Sequence, residues 1–430
     1  MTRIWHTLMA SAVVAFAAPQ PAVAAKNPEA IFKEAAGYTV YVETRIAVPF
    51  IEDYQATIFG AGFVIDRKRH WILTNAHVSG KSPASITVMF DDGTRTAATP
   101  VYIDPYLDLA ILRFEPAEQR KVAEAKLECQ KIPGIGHPVG TFGHPEGLRF
   151  TGTRGIISGR TSQFDADWLQ TDAPISAGNS GGPLISLKTG RVVGINSASV
   201  EDNGAQNTNL AVLMTQACRI IDLLRAGKEP NPPDIGATFF EFEGEATLIV
   251  GQLRASGARI GLQRGDQLLM VNGEPLARAT EGELMHRLRG QGSRAELKLR
   301  RAGAEINIAA SLNLQPSLTE RTGIYVGGAL FAPTHYDDIQ SVSLTPTMMV
   351  HSVENGSIAE AAGIYPYDHL VGINNQPVKS LDDLKGIIDS LAPAVPATLD
   401  LVRFVDGEKR FLHDILAKMP LRDTQWISFE

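Results

Sequence analysis

Short apolar stretches bounded by turn residues recur through the first half of the chain. Such runs, rich in Val, Ile, Tyr and Phe and alternating with polar positions, predict β-strands. They lie at residues 38–42, 71–73, 86–90 and 109–112. The same pattern, with many more glycines, returns between residues 136 and 211. Two successive runs of this kind predict a mainly β fold with two barrels.

The second half of the chain has a different organisation. A helical pattern over residues 215–224 is expected to close the first region, and the Pro-rich residues 229–236 predict a linker. Beyond the linker, residues 261–273 are repeated imperfectly at residues 363–375. Both copies keep Gly to Asp at five residues and Asp to Asn at six, which fits a turn, a strand and a second turn. We predict two α+β domains, residues 237–312 and 320–418, after a β domain at residues 25–228.

The N-terminus has the pattern of an export signal. Arg3 precedes an apolar run at residues 8–18, and Ala22, Val23 and Ala24 supply small residues for cleavage. The run is too short for a comfortable membrane span, so a signal peptide over residues 1–24 is preferred to an uncleaved anchor. A periplasmic or secreted protein is therefore expected. Export permits a disulfide between Cys129 and Cys218, and two free thiols are the open alternative.

Composition narrows the classes of partner. The chain has 44% hydrophobic and 20% charged residues, as an ordinary globular protein has. Its net charge of −7 and the lack of a long basic run argue against nucleic acid as a partner. His137 and His144 flank a Gly/Pro-rich loop without an evident third ligand, so they are interpreted as turn residues rather than a metal pair. No metal and no cofactor are predicted.

One loop has the composition of a nucleophile site. Residues 178–183 read Gly-Asn-Ser-Gly-Gly-Pro, a sharp bend that exposes Ser180. The N–H groups of Gly178 and Ser180, within the run from Gly178 through Asn179 to Ser180, are candidates for an oxyanion hole. A base and an orienting acid are found upstream: His77 follows one apolar run, and Asp108 opens another. Asp104 is a second candidate for the acid.

Three motifs together resemble the HtrA/Deg family of trypsin-like serine proteases. They surround His77, Asp108 and Ser180, which also follow the chymotrypsin-type order of base, acid and nucleophile. In that family the acid directly precedes an apolar run, so Asp108 is preferred to Asp104. The resemblance is strongest over residues 38–225 and implies a chymotrypsin-like double β-barrel. It also implies an exported endopeptidase that degrades unfolded or damaged envelope proteins through an acyl-enzyme. A non-proteolytic chaperone or scaffold on the same fold is the alternative.

The same resemblance implies two PDZ-like C-terminal domains and a homo-oligomer, a trimer or a multiple of three. Peptide C-termini are possible partners of the PDZ-like domains, with a candidate carboxylate loop at Tyr325, Val326, Gly327 and Gly328 in the second copy. The first copy offers only residues 235–237. Phe32 and Tyr38 are candidates for trimer contacts, with ordinary core packing as the alternative.

In trypsins an acidic residue six positions before the serine selects basic substrate side chains. The resemblance places Pro174 there, so it implies no acidic pocket. A pocket for small or medium apolar side chains is expected instead. Its candidate residues are Ile175, Asn196, Ser197 and Ala198.

Overall fold

The computed structural model describes residues 27–116, 122–161, 167–199, 208–241, 247–276, 280–334, 348–392, 395–405 and 411–429. The predicted signal peptide, residues 1–24, lies outside these ranges.

A short helix leads into the first barrel. This helix, α1, is Pro28–Ala36; the side chain of Asn27 caps its first turn and Pro28 occupies its first position. Six antiparallel strands then close into a barrel in the order β1-β2-β3-β6-β5-β4. A one-turn helix, α2 (Ala76–Ser79), follows β3. The strands are β1 Thr39–Ile46, β2 Ala56–Asp66, β3 Trp71–Thr74, β4 Ala84–Met89, β5 Arg95–Asp104 and β6 Leu109–Phe114.

A second six-stranded barrel follows, in the order β10-β11-β12-β9-β8-β7. Its strands are β7 Pro138–Gly143, β8 Thr151–Thr161, β9 Trp168–Thr171, β10 Pro183–Ser186, β11 Val192–Ser199 and β12 Asn209–Leu213. The helix α3, Met214–Arg225, begins where β12 ends. One apolar core extends from α1 through the first barrel to strands of the second barrel and α3, and a separate apolar cluster lies within the second barrel. The two closed barrels confirm the predicted chymotrypsin-like fold.

The two cysteines form a disulfide. Cys129 lies in the connection between the barrels and Cys218 lies on α3, with their Cα atoms 5.7 Å apart. The bond ties the interbarrel connection to the helix that closes the second barrel.

Two sheet-and-helix units make up the rest of the chain. The first has the sheet order β13-β14-β15-β17-β18, with β16 paired to β15. Its elements are β13 Ala237–Glu241, β14 Leu248–Leu253, α4 Ala255–Arg259, β15 Gln267–Val271, β16 Glu274–Pro275, α5 Glu281–Leu288, β17 Arg294–Arg301 and β18 Ala304–Ser311. The second has the order β25-β24-β22-β21-β20-β19-β26, with β23 paired to β22. Its elements are β19 Thr322–Val326, β20 Ala329–Pro333, β21 Met348–Val353, α6 Ile358–Ala361, β22 His369–Ile373, β23 Gln376–Pro377, α7 Leu381–Ser390, β24 Pro396–Val405, β25 Phe411–Pro420 and β26 Gln425–Ser428.

The repeated residues make the same contacts in both units. Asp266 pairs with Arg301 at 2.6 Å, and Asp368 pairs with Arg403 at 2.6 Å. Each arginine also donates to the carbonyl of the repeat's glycine, Gly261 at 2.8 Å or Gly363 at 2.7 Å. The Gly-to-Asp spacing is therefore explained by one arginine that binds both residues.

The units differ at one sheet edge. In the first unit β13 is the last strand of the sheet, whereas the corresponding strand of the second unit, β20, is followed by β19 and β26. Gly327 and Gly328, both at positive φ, form the turn between β19 and β20. The strand β26 pairs with β19 beyond the predicted domain end at residue 418. The second unit therefore covers the edge that the first leaves open among the described strands.

Candidate active site

The loop that carries Ser180 is packed tightly between the barrels. A Cβ at Gly178, where φ is +96°, would lie 2.2 Å from the carbonyl oxygen of His144 in the second barrel. A Cβ at Gly181, where φ is +83°, would lie 2.1 Å from the carbonyl oxygen of Ala61 in the first barrel. The N–H of Ala61 also donates to the carbonyl of Ser180 at 2.8 Å. Glycine is required on both sides of the serine, because any other residue would push the loop out of the cleft.

His77 and Asp108 lie on the first barrel and are hydrogen-bonded through two atoms each. The His77 backbone N–H donates to Asp108 Oδ1 at 2.9 Å, and ring atom Nδ1 lies 2.7 Å from Oδ2. A carboxylate only accepts, so Nδ1 carries the proton and Nε2 keeps its lone pair. The His77 side chain is 46% exposed and that of Asp108 is 23% exposed. The imidazole is therefore fixed in one tautomer while its ring remains accessible.

Two further residues hold Asp108. Its backbone has φ of +48°, in the left-handed region that non-glycine residues seldom adopt. The Asn75 side chain donates to its carbonyl at 2.8 Å, and Ser197 Oγ donates to its Oδ2 at 2.7 Å. Asn75 and Ser197 were not recognised as partners of the acid from the sequence. Asn75 lies two residues before His77, so its place in that motif was the available signal.

The Ser180 hydroxyl donates to the carbonyl of Ser197 at 2.9 Å. In this arrangement, no hydrogen bond joins the described side chains of Ser180 and His77. The N–H of Asn179 donates to the carbonyl of Ser176 at 2.9 Å. The backbone hydrogen bonds of the described loop leave the N–H groups of Gly178 and Ser180 without a backbone acceptor. Of the three oxyanion-hole candidates, Gly178 and Ser180 are therefore the two with available donors.

The rival acid, Asp104, faces away from His77. It is fully buried and pairs with Arg289 of the first C-terminal unit, with Nη1 and Oδ2 2.5 Å apart. His137 and His144 lie in different surroundings, and the described residues contain no cluster of three or more potential metal ligands. His137 Nε2 lies 2.8 Å from Ser186 Oγ, whereas His144 is buried between the rings of Tyr41 and Phe150. Burial lowers the pKa of His144 to about 4.

Two of the four predicted specificity residues, Asn196 and Ser197, hold other parts of the site in place, and the other two remain candidates for the pocket. Asn196 is fully buried, and its backbone braces the serine loop by exchanging hydrogen bonds with Gly181 and Gly182. Ser197 holds Asp108, as described above. Ile175 is 8% exposed, and the side chain of Ala198 lies outside the described part. A pocket formed by Ile175 and Ala198 remains a prediction.

Comparison with known proteins decides the family. Residues 60–195, which include the histidine, the acid and the serine, match the trypsin-like peptidase domain family. A probable periplasmic serine endoprotease DegP-like from Chlamydia pneumoniae is 30% identical over 348 residues, covering 76% of this chain and 70% of that protein. The protein of the same description from Rhizobium meliloti is 30% identical over 359 residues, covering 77% and 70%. The chain belongs to the DegP-like, or HtrA, family of serine endoproteases.

Solved structures of this family share the fold. A serine endoprotease from Yersinia pestis is 27% identical with a TM-score of 0.52, covering 68% of this chain and 99% of that chain. The HtrA-type protease AlgW, solved with a tripeptide, is 25% identical with a TM-score of 0.56, covering 68% and 98%. The predicted serine endopeptidase is thereby confirmed, and so is the predicted periplasmic or secreted location. In the described part of the chain, no helix is both long and apolar enough to cross a membrane.

Proposed function

We propose that this HtrA-family endopeptidase degrades unfolded or damaged envelope proteins through a triad of His77, Asp108 and Ser180. The observation that carries the proposal is the paired contact of His77 with Asp108, which fixes one imidazole tautomer, while Ser197 hydrogen-bonds to both Asp108 and the Ser180 hydroxyl. To react, the Ser180 hydroxyl turns from the Ser197 carbonyl toward His77 Nε2.

The chemistry follows from these positions. Nε2 of His77 takes the Ser180 proton as Oγ attacks the peptide carbonyl carbon. The N–H groups of Gly178 and Ser180 stabilise the oxyanion, and the imidazolium then protonates the leaving amine to give the acyl-enzyme. Water, deprotonated by the same imidazole, attacks the ester carbonyl, and Ser180 regains its proton on release. The carboxylate of Asp108 stabilises the imidazolium in both stages.

An unfolded substrate fits the site because strand β11 presents an unpaired sheet edge near Ser180. The pairing of β10 with β11 stops at Ile195, so residues 198–199 have no partner on that side in the described structure. An extended peptide can add there as a strand. Folded proteins rarely present a free extended segment, whereas unfolded chains do.

Digestion of casein near neutral pH tests the proposal. The mature parent should cleave it, and Ser180→Ala and His77→Ala should both fall to background, because triad residues act as a unit. Cleavage by Ser180→Ala at the parent rate would refute it. If the parent and Ser180→Ala both suppress aggregation of casein and neither cleaves it, the chaperone alternative would be favoured.

We also infer that the first C-terminal unit is the one that receives peptide C-termini as a PDZ-like domain. Its outer strand β13 ends the sheet, which favours strand addition. In the second unit β19 covers the corresponding edge, and the N–H of Gly327 already donates to the carbonyl of Arg422 at 2.9 Å. The candidate loop from Tyr325 through Val326 to Gly328 is thus used as a hairpin, and we assign the second unit a structural role.

A library of C-terminal peptides and their amides, applied to full-length Ser180→Ala, tests this assignment. Binding that crosslinks to residues 235–241 and weakens on amidation would support it. Crosslinks in residues 322–333, or equal binding of acid and amide, would contradict it.

Assembly as a trimer or a multiple of three stays a prediction. The structure places Tyr38 in the core of its own protomer and stacks Phe32 on Phe142, so these side chains serve internal packing here. Light scattering on the mature protein tests the prediction, and a strict monomer at micromolar concentration would contradict it.

A further inference from the structure

One arginine from the first C-terminal unit is buried inside the protease domain. Arg289 directly follows helix α5 and is 1% exposed. Its Nη1 lies 2.5 Å from Asp104 Oδ2 and donates to the Tyr102 hydroxyl at 3.2 Å and to the Pro230 carbonyl at 3.0 Å. The contact therefore joins the C-terminal unit, the linker and strand β5 at one guanidinium.

The burial makes this contact a specific one. Desolvation lowers the pKa of Arg289, but the charge of Asp104 and the Tyr102 hydroxyl outweigh it, so the pKa is raised and the side chain stays charged. A charge withdrawn from water is tolerated only with a well-placed partner. Asp104 is fully buried as well, and the Tyr102 hydroxyl donates to its Oδ2 at 2.9 Å. Neither ion can leave the other without leaving a charge unpaired.

The second oxygen of Asp104 acts on the turn that carries the proposed catalytic acid. Asp104 Oδ1 accepts the N–H of Leu107 at 2.8 Å, which closes the turn between β5 and β6. The next residue is Asp108, with its positive φ and its paired hydrogen bonds to His77. One carboxylate thus connects the guanidinium of Arg289 to the backbone that aims Asp108.

A second contact brings the C-terminal half to the same place. Leu318, in a 3₁₀ turn between the two units, packs with Ala76, Ile103 and Ala110, and Phe429 packs against this cluster. Ala76 precedes His77. Residues of the C-terminal half therefore pack against the segments of the first barrel that carry His77 and Asp108.

We propose that Arg289 is a positioning residue for proteolysis: by anchoring Asp104 it sets the turn that directs Asp108 to His77. This inference rests on the proposed triad.

Steady-state cleavage of a fluorogenic peptide amide by the full-length mature protein tests the inference. Misplacing an acid that orients the base should lower kcat for Arg289→Met by about 10- to 100-fold, with KM changed less than about twofold. The matched control is Arg301→Met, which breaks an Arg–Asp pair in the same unit that does not involve the protease barrels. Its kcat should stay within about twofold of the parent.

A double-variant cycle separates positioning from general destabilisation. If Arg289 acts through Asp108, then Arg289→Met should cost less than about twofold once Asp108→Asn is present. An equal loss in both backgrounds, or an unchanged kcat in folded Arg289→Met, would overturn the inference. Should Arg289→Met fail to fold, Arg289→Gln, which removes the charge but keeps a hydrogen-bond donor, is judged by the same two criteria. Absence of Ser180-dependent cleavage in the parent would refute the proposed function, and this inference with it.

Discussion

Two aspartates at the ends of one turn have opposite environments. Asp104 ends strand β5, is fully buried and binds a guanidinium from another part of the chain. Asp108 precedes strand β6, is 23% exposed in its side chain and binds an imidazole that faces the cleft. The two aspartates are four positions apart in the sequence, yet one holds two parts of the chain together and the other orients an imidazole.

The contrast shows that the partner and its exposure decide what a carboxylate does. A guanidinium keeps its proton throughout, so the Asp104 pair can only hold structure or transmit position. An imidazole can accept a proton and release it again, so the Asp108 pair can take part in a reaction cycle. The same substitution, aspartate to asparagine, should therefore mainly lower activity at position 108 and mainly lower stability at position 104.

The largest expected effect is that of Asp108→Asn on activity. The amide supports the wrong tautomer of His77, and kcat should fall by about 10⁴-fold. The free energy of unfolding should change by only about 1 kcal/mol, because the partly exposed carboxylate is replaced by a group that still hydrogen-bonds. Peptide cleavage and denaturant titration measure the two quantities. A kcat within tenfold of the parent would remove Asp108 from the triad.

Asp104→Asn should show the opposite balance. Arg289 would keep a buried charge without a counterion, so the free energy of unfolding should fall by about 3–5 kcal/mol. The loss of kcat below the unfolding transition should be far smaller than in Asp108→Asn. As a control, Asp389→Asn removes an exposed pair with Lys385 and should cost at most about 0.5 kcal/mol. Equal stability of the Asp104 and Asp389 variants would show that the buried pair stabilises nothing.

Ser197→Ala should lower activity by less than Asp108→Asn does. It removes one hydrogen bond to the Asp108 carboxylate, worth about 1.5–3 kcal/mol for a charged acceptor. We expect kcat to fall by roughly tenfold or somewhat more, with KM little changed. Steady-state cleavage of a peptide amide measures kcat and KM. A loss of kcat as large as that of Asp108→Asn would contradict a supporting role for Ser197.

The sequence predicted the parts of the site that depend on local motifs. The strand pattern indicated two barrels, and three short motifs located His77, Asp108 and Ser180, because a nucleophile loop needs glycines and the acid precedes an apolar strand. The repeat in the C-terminal half was likewise visible from the spacing of Gly, Asp and Asn.

Contacts between residues far apart in the sequence were not predictable in this way. Arg289 has no pattern that marks it as the partner of Asp104, since only the tertiary contact between the residue after α5 and the end of β5 brings them together. The role of Ser197 depends on the register of β11 beside the acid. Arg301 and Arg403 could have been predicted as partners of the repeated aspartates, because each follows its aspartate by the same number of residues.

The closed edge of the second unit was not predictable from the sequence, because it depends on β19 pairing with β20 on one side and with β26, from the end of the chain, on the other. The bond between Cys129 and Cys218 was left open for the same physical reason, since it depends on where α3 packs.

Labelling with a fluorophosphonate tests the central claim, that His77 and Asp108 activate Ser180, most directly. Mass spectrometry of the full-length mature protein should find one adduct, and peptide mapping should place it on Ser180. Labelling should be lost in Ser180→Ala and slowed far more in Asp108→Asn than in Asp104→Asn. An adduct on another serine, or an Asp108→Asn variant that labels as fast as the parent, would contradict the claim.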